Sequence, residues 1–421
     1  MDRENLRSLL IEQNEEIKTR DQGYEREVLS DIESKIDLKH ILVITGPRRA
    51  GKSTLLVQMM NNYLNQDSFY YLNFDDERLI DFTVEDFNRL YELFIEEYGE
   101  RDILIFDEIQ NIENWEMFVT RMYENGKKLI ITGSNAKMLS QELSTRLTGR
   151  YIDVELYPFS FIEFLRAKDV EIKDKDVHIT EKRAVIRNLF DEYLKTGGFP
   201  ENVVYDEPEI LQNLYKGIVT KDIITRHNIK KQKTFREIAL HLLSNISKPF
   251  TYNSIKNNYG INSVHTAKNY VEHLEESFLM FELSRYSPSF KKQRTRPKKI
   301  YCVDTGIPHS VSFRFSEDLG RTLENAVFIE LKRRGSELYY HKDKKECDFL
   351  VRDGTEITDA IQVTTNLKKD NEEREVGGLI EACEKYSLEE GLILTMDEES
   401  EFEKNGKKIK VYPIWKWFLR V

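Results

Sequence analysis

Cysteine is scarce: there are three in 421 residues, Cys302, Cys347 and Cys383, far apart and odd in number. That excludes a disulfide framework and makes a reducing cytoplasm the expected setting. No stretch reaches the roughly 20 consecutive apolar residues that a membrane-spanning helix needs. The opening Met-Asp-Arg-Glu-Asn is charged and lacks the apolar segment of a signal peptide. The eight histidines show neither H-E-x-x-H nor paired-cysteine spacing, so no zinc site is expected. Positive charge is in deficit as well. A net charge of −11 argues against a protein that coats nucleic acid over most of its surface, although one short stretch is densely basic. With repeats and low-complexity tracts not evident, a chain of this length, 40% apolar, should form roughly two to three domains.

What is present begins at Ile41–Ile44, an apolar run of the kind that forms a short buried strand. Gly46, Pro47, Arg48, Arg49, Ala50, Gly51, Lys52 and Ser53 follow it and fit G-x-x-x-x-G-K-[ST]. Thr54, Leu55, Leu56, Met59 and Met60 then continue as a helix. Strand, loop and helix in that order make a phosphate cradle. Glycines let successive N–H groups point inward, and the helix N-terminus adds its positive end. Lys52 would place its charge on the β- and γ-phosphates, and the Ser53 hydroxyl would ligate magnesium.

Ile103-Leu104-Ile105-Phe106-Asp107-Glu108 reads as a buried parallel strand running into two carboxylates. Asp107 is the expected magnesium-shell residue, and Glu108 the residue that polarises the attacking water. Leu129–Ile131 with Thr132-Gly133-Ser134-Asn135 is a third buried strand, whose Ser134 or Asn135 would sense the γ-phosphate or simply cap the strand end. Arg150, with Arg146 second, is the candidate arginine for neutralising phosphoryl charge, in cis or from a neighbouring copy.

Several motifs together resemble the prokaryotic and archaeal AAA-superfamily ATPases that carry a restriction-endonuclease-like C-terminal domain. They are Gly46–Thr54, Asn73-Phe74-Asp75, Phe106–Gln110, Thr132-Gly133-Ser134, Leu147–Arg150, Leu156–Phe161, Gly197-Gly198-Phe199-Pro200 and Asp304-Thr305-Gly306. The resemblance implies an α/β fold with a P-loop AAA-type parallel sheet and ATP with Mg2+ as cofactors. A winged-helix module after the ATPase core and a homo-oligomer are implied too. The expected division is an ATPase domain with a lead-in helix over 1–165 and a helical lid over 166–230. A winged helix over 231–303 and a restriction-endonuclease-like domain over 304–421 complete it.

The winged helix is also legible from pattern. Helices are expected at Phe235–Leu243, Thr251–Asn258 and Ser263–Glu276, and a hairpin at Leu279–Leu283 and Lys299–Val303. Its wing carries Lys291, Lys292, Arg294, Arg296, Lys298 and Lys299, candidate contacts to double-stranded DNA phosphates. The last 120 residues give an α-β-β-β-α-β order that resembles the PD-(D/E)xK nucleases. Glu324 and Asp348 stand where two of the metal-holding carboxylates belong. The third strand, however, reads Ile361-Gln362-Val363-Thr364, with an amide for the carboxylate and threonine for the lysine. Unless a lysine such as Lys368 or Lys369 substitutes, cleavage is not expected. The primary reading is an ATP-hydrolysing AAA-type protein whose nucleotide state controls the C-terminal half. The alternatives are an ATP-gated DNA-binding regulator or defence-related protein with little hydrolysis, and an active nuclease.

Overall fold

The computed structural model describes residues 2–135, 149–312, 318–369 and 371–420, which form two compact units. Unit one comprises Met1–Tyr157 with Glu276–Phe278, and unit two Pro158–Glu275 with Leu279–Val421. Among the described residues no helix is long and apolar enough to cross a membrane.

Unit one is built on five parallel strands, β1 (Ile41–Thr45), β2 (Phe69–Asn73), β3 (Ile103–Asp107), β4 (Lys128–Gly133) and β5 (Tyr151–Glu155), in the order β2-β3-β4-β1-β5. The inner strands β1, β3 and β4 are buried on both faces, which is why they read as nearly unbroken apolar runs, while the edge strand β5 is partly exposed. Strand alternation splits those runs between two cores. Ile41, Val43, Leu104, Phe106 and Leu129 pack with Leu6, Leu9 and Leu10 of the helix Arg3–Thr19. Leu42, Ile44, Ile105 and Ile130 pack on the opposite face with Leu29, Ile32, Leu55 and Met59. The expected single lead-in helix is therefore two, Arg3–Thr19 and Val28–Ile36. Their interruption has a purpose, described below.

Unit two opens with a helical stretch from Phe161 to Leu243 that includes a π-helical segment, Ile218–Thr225. It is knit by two of the motifs noted above. The Asp304 carboxylate accepts from the backbone N–H of Gly198 (2.6 Å) and of Gly306 (2.8 Å), tying Gly-Gly-Phe-Pro to Asp-Thr-Gly. The helices Gln232–Leu243, Tyr252–Tyr259 and Val264–Glu276 fall close to their expected bounds. With them stands an antiparallel sheet of β6 (Pro249–Phe250), β7 (Met280–Ser284) and β8 (Lys298–Cys302), ordered β6-β8-β7.

The last part is a mixed sheet of β9 (Glu337–Lys342), β10 (Glu346–Asp353), β11 (Glu356–Val363), β12 (Glu390–Thr395), β13 (Ser400–Lys404) and β14 (Lys407–Pro413). Its order is β13-β14-β12-β11-β10-β9, antiparallel from β9 to β11 and parallel through β11, β12 and β14. The helix Glu372–Tyr386 lies on it through Val376, Leu379 and Cys383. Gly378 allows that approach: a Cβ there would stand 1.8 Å from the Glu346 carbonyl oxygen. The closing β13, β14 and helix Ile414–Leu419 were not anticipated. β13 is charged and exposed along most of its length, whereas β14 buries Ile409 and Val411 at alternate positions.

The basic wing requires a correction. Lys291, Lys292 and Arg294 lie exposed on a short helix, Phe290–Thr295, with Arg296 just beyond it. Lys298 and Lys299 belong to β8 instead, and strand alternation turns them to opposite sides. Lys298 donates to Ser284 Oγ at 3.0 Å. Lys299 is 1% exposed and ion-paired with Glu324, Glu346 and Asp348, so it cannot contact DNA phosphates.

Candidate nucleotide site

The C-terminal ends of β1, β3 and β4 meet at one edge of the parallel sheet. That edge is where open α/β sheets hold ligands. β1 delivers the loop of residues 46–51, and the helix Lys52–Tyr63 begins at its end. Gly46, at φ +154°, passes so close to the neighbouring chain that a Cβ would meet the Leu156 carbonyl oxygen at 2.1 Å. Gly51 takes φ +98° to turn into the helix. Arg49 is also left-handed, and Arg48 Nη2 stands 3.5 Å from Asp75 Oδ1.

Lys52 is buried. Its Nζ donates to the carbonyls of Gly46 and Pro47, both at 3.2 Å, and pairs with Glu108 Oε1 at 3.0 Å. Asp107 is fully buried at the end of β3. It accepts from the hydroxyls of Thr132, Ser53 and, at 3.4 Å, Tyr71. Burial pushes the Asp107 carboxyl up, and the neighbouring Glu108 charge adds to the shift. Burial acts on Glu108 in the same direction, but the Lys52 charge and hydrogen bonds from Gln110, Lys52 and Ser134 overcome it and hold Glu108 at about 2. The structure therefore separates two adjacent carboxylates, one facing hydroxyls and the other a lysine. Glu108 is held in left-handed backbone at φ +54°, a strained conformation for a residue with a side chain and one that clusters at functional sites.

Ser134 and Asn135 are buried just past β4, at this same edge. Arg150 is not there. It precedes β5, its carbonyl accepts from Ile41 N–H at 2.9 Å, and its guanidinium lies 3.5 Å from Glu124. Since β1 and β5 run in parallel register, Ile41 to Tyr151 and Thr45 to Glu155, Arg150 sits at the opposite end of the sheet. At about 3.3 Å per residue it stands roughly 15–20 Å from its own phosphate loop, so the cis role is excluded. Arg146 lies outside the described residues.

Two contributors carried no role in the sequence. Gln110 donates to Glu108 Oε2 at 2.6 Å and to Ser134 Oγ at 3.4 Å, orienting the carboxylate. Arg26, 4% exposed, sits in the break between the first two helices and donates to the carbonyls of Ala50 (2.7 Å) and Tyr157 (2.6 Å). Gln58 holds that break in place by donating to the carbonyls of Gln22 and Tyr24, each at 2.7 Å. A lone arginine in a polar stretch gave no signal of this. Arg26→Ala is expected to cost about 2–4 kcal/mol, since charged hydrogen bonds are worth roughly 1.5–3 kcal/mol each. It should also weaken nucleotide binding. Thermal melting and nucleotide titration check this, and wild-type values in both would show that the clasp carries no load.

Strand order and pocket together define a P-loop protein of AAA type. A family model described as an AAA domain matches residues 38–165, and models of two domains of unknown function, DUF8612 and DUF4143, match 187–318 and 319–417. An uncharacterized protein of Methanocaldococcus jannaschii is 36% identical over 409 residues, covering 92% of this chain and 90% of the relative. An uncharacterized protein of Haemophilus influenzae is 34% identical over 352 residues, covering 80% and 85%. The chain belongs to the family these two proteins share, an AAA domain followed by C-terminal regions of unknown function. Among solved structures, AMPPCP-bound DnaA from Aquifex aeolicus is similar at 17% identity and a TM-score of 0.26, over 59% of this chain and 86% of that chain.

Proposed function

We propose that this chain is a magnesium-dependent ATPase whose nucleotide state controls its C-terminal half. The observation that carries the reading is the buried Lys52–Glu108 ion pair at 3.0 Å, beside Asp107 and Ser53, at the mouth of a glycine-lined loop. The donor set fits the ion: a hydroxyl and a carboxylate side by side are the hard oxygen ligands magnesium prefers. Magnesium, when bound with ATP, would screen the phosphate charge.

The chain's own residues then have separable tasks. The loop's backbone N–H groups after Pro47, which has none, and the Lys52 ammonium hold the β- and γ-phosphates. As Lys52 turns to phosphate, Glu108 loses the charge that depresses it, and its affinity for protons rises. Freed in this way, it accepts a proton from the attacking water, with Gln110 fixing its orientation. Asn135 is the proposed contact to the γ-phosphate, supported by its position just past β4. Supply of the neutralising arginine by Arg150 would require a neighbouring copy, which is the proposed reason for a homo-oligomer.

For the second unit the proposed division is a helical lid over 166–230, a winged helix over 231–303 and a nuclease-like domain over 304–421 that does not cleave. Three helices with a β6-β8-β7 sheet support the winged helix. The α-β-β-β-α-β order with Glu324 and Asp348 supports the nuclease-like fold. Double-stranded DNA is the proposed partner, met by Lys291, Lys292, Arg294 and Arg296. Within the helix Val264–Glu276, Lys268 already pairs with Glu272 at 2.8 Å. Reversing those four charges is expected to weaken DNA binding about uniformly across sequences. It should also flatten the slope of log affinity against log salt by up to about 3–4. An unchanged slope would remove DNA from the account and leave a protein partner.

A further inference from the structure

Nuclease-like geometry implies a divalent metal at Glu324 and Asp348, and the side chains around them test that implication. Glu324 comes from the helix Leu319–Arg333, Glu346 and Asp348 from β10, and Glu375 from the helix Glu372–Tyr386. They border a cavity of about 1010 Å³ also lined by Arg321, Lys345 and Gln362. Lys299 reaches the group from β8. Its Nζ lies 2.9 Å from Glu324 Oε1, 2.8 Å from Glu346 Oε1 and 3.0 Å from Asp348 Oδ1. The three N–H bonds of one ammonium thus meet three carboxylates.

The second oxygen of Asp348 is also engaged. Asp348 Oδ2 accepts from Gln362 Nε2 at 2.8 Å and from the Val363 N–H at 3.1 Å. Gln362 gives its other amide hydrogen to Glu375 Oε2 at 2.7 Å, and its oxygen accepts from the Asp348 N–H at 3.3 Å. The amide therefore turns N–H, not oxygen, toward the carboxylates, and a nitrogen in that state cannot ligate a cation. Thr364, where a lysine would stand, donates to the Asn366 carbonyl at 3.1 Å. A metal bound by Glu324 and Asp348 at ordinary ligand distances would be pressed against the ammonium that already joins them. The donor set does not fit a divalent metal.

We propose that Lys299 is a built-in cation standing where the metal would be, so that this cleft excludes divalent ions and does not hydrolyse phosphodiesters. The inference rests on the nuclease-like reading of the C-terminal region. It also accounts for the amide at 362. A carboxylate there would add a further negative charge directly against Asp348 and Glu375, whereas an amide donates to both.

The test uses the full chain without nucleotide and Mn2+ as the probe, read by calorimetric titration and thermal melting. Wild type, Asp348→Asn, Lys299→Gln and the double variant are compared, with circular dichroism confirming that each is folded. Mn2+ bound in the phosphate pocket is common to all four and cancels. The expected results are identical Mn2+ binding by wild type and Asp348→Asn, and a lower melting temperature for Lys299→Gln that Mn2+ restores. The Lys299→Gln chain should bind Mn2+ at least tenfold more tightly than wild type, and the double variant should lose that gain. Mn2+ binding by wild type that Asp348→Asn removes would overturn the proposal while leaving the nuclease-like reading intact. A folded Lys299→Gln chain without any gain would overturn both. Should Lys299→Gln fail to fold, the wild-type and Asp348→Asn pair still decides.

Discussion

Lys52→Ala is expected to lower ATP turnover by about 100-fold or more. Deleting a single preorganised electrostatic group at a reacting centre commonly costs 10²–10³ in rate, and this lysine has two tasks. It supplies a buried positive charge for the phosphates, and in the resting site it neutralises Glu108. Its loss leaves the partly buried Glu108 next to the fully buried Asp107, with no cation between them. One of the two would then take up a proton, so the site would lose its phosphate ligand and one of its two carboxylate charges together. Nucleotide affinity should fall with turnover, which separates this variant from one that disables only the base. Full turnover in Lys52→Ala would show that the loop is a structural turn.

The second large effect is on stability. Lys299→Met is expected to cost about 3–5 kcal/mol, the range for removing one partner of a buried charge cluster. Burial opposes the Lys299 charge, yet Glu324, Asp348 and Glu346 hold the ammonium well above its usual range. Without it, those carboxylates are left to repel one another in a buried setting. Burial and the Asp348 charge already push Glu324 up to about 7. A carboxyl raised from about 4.5 in this way stabilises the fold most below pH 4.5, and that contribution is lost as pH rises through 7. Removing Lys299 raises it further, so the Lys299→Met deficit should grow as pH rises through about 7, where wild type has lost the Glu324 proton and the variant keeps it. Denaturant unfolding across that rise reads the trend. A flat deficit, or one under about 1 kcal/mol, would mean the cluster is not held by charge.

The phosphate loop was legible because its work is done by backbone, and a backbone shape that needs glycine at fixed places writes itself into spacing. Asp107 and Glu108 were legible for a related reason: a buried parallel strand has to end where its polar residues can face a ligand. What failed was inference from nearness in sequence. Lys298 and Lys299 extend a basic run that looks like one wing, but the run crosses from the end of a short helix into β8, where alternation sends consecutive side chains to opposite sides. Arg150 follows the strands that end in Asp107 and Gly133 closely, yet it stands just before β5, and the two ends of a parallel strand are far apart. The missing lysine of the C-terminal cleft was sought downstream, at Lys368 and Lys369. The cation present comes from Lys299, 49 residues before Asp348, on a strand of a different sheet. Gly-Gly-Phe-Pro and Asp-Thr-Gly were visible as motifs without a role. Only their shared bond through Asp304 explains them.

The central claim is that Glu108 is the base of an ATP-hydrolysing site. Its most direct test is magnesium-dependent ATP turnover by wild type and Glu108→Gln, with nucleotide affinity measured alongside. Glutamine keeps the shape and its one amide oxygen can still accept from Lys52, while its NH2 group would meet Gln110 as a second donor; it cannot take a proton from water. Expected are turnover in wild type, a loss of about 10²–10⁴ in Glu108→Gln, and nucleotide binding retained within a few-fold. Turnover by Glu108→Gln at the wild-type rate, or a wild type that binds ATP and never hydrolyses it, would contradict the claim.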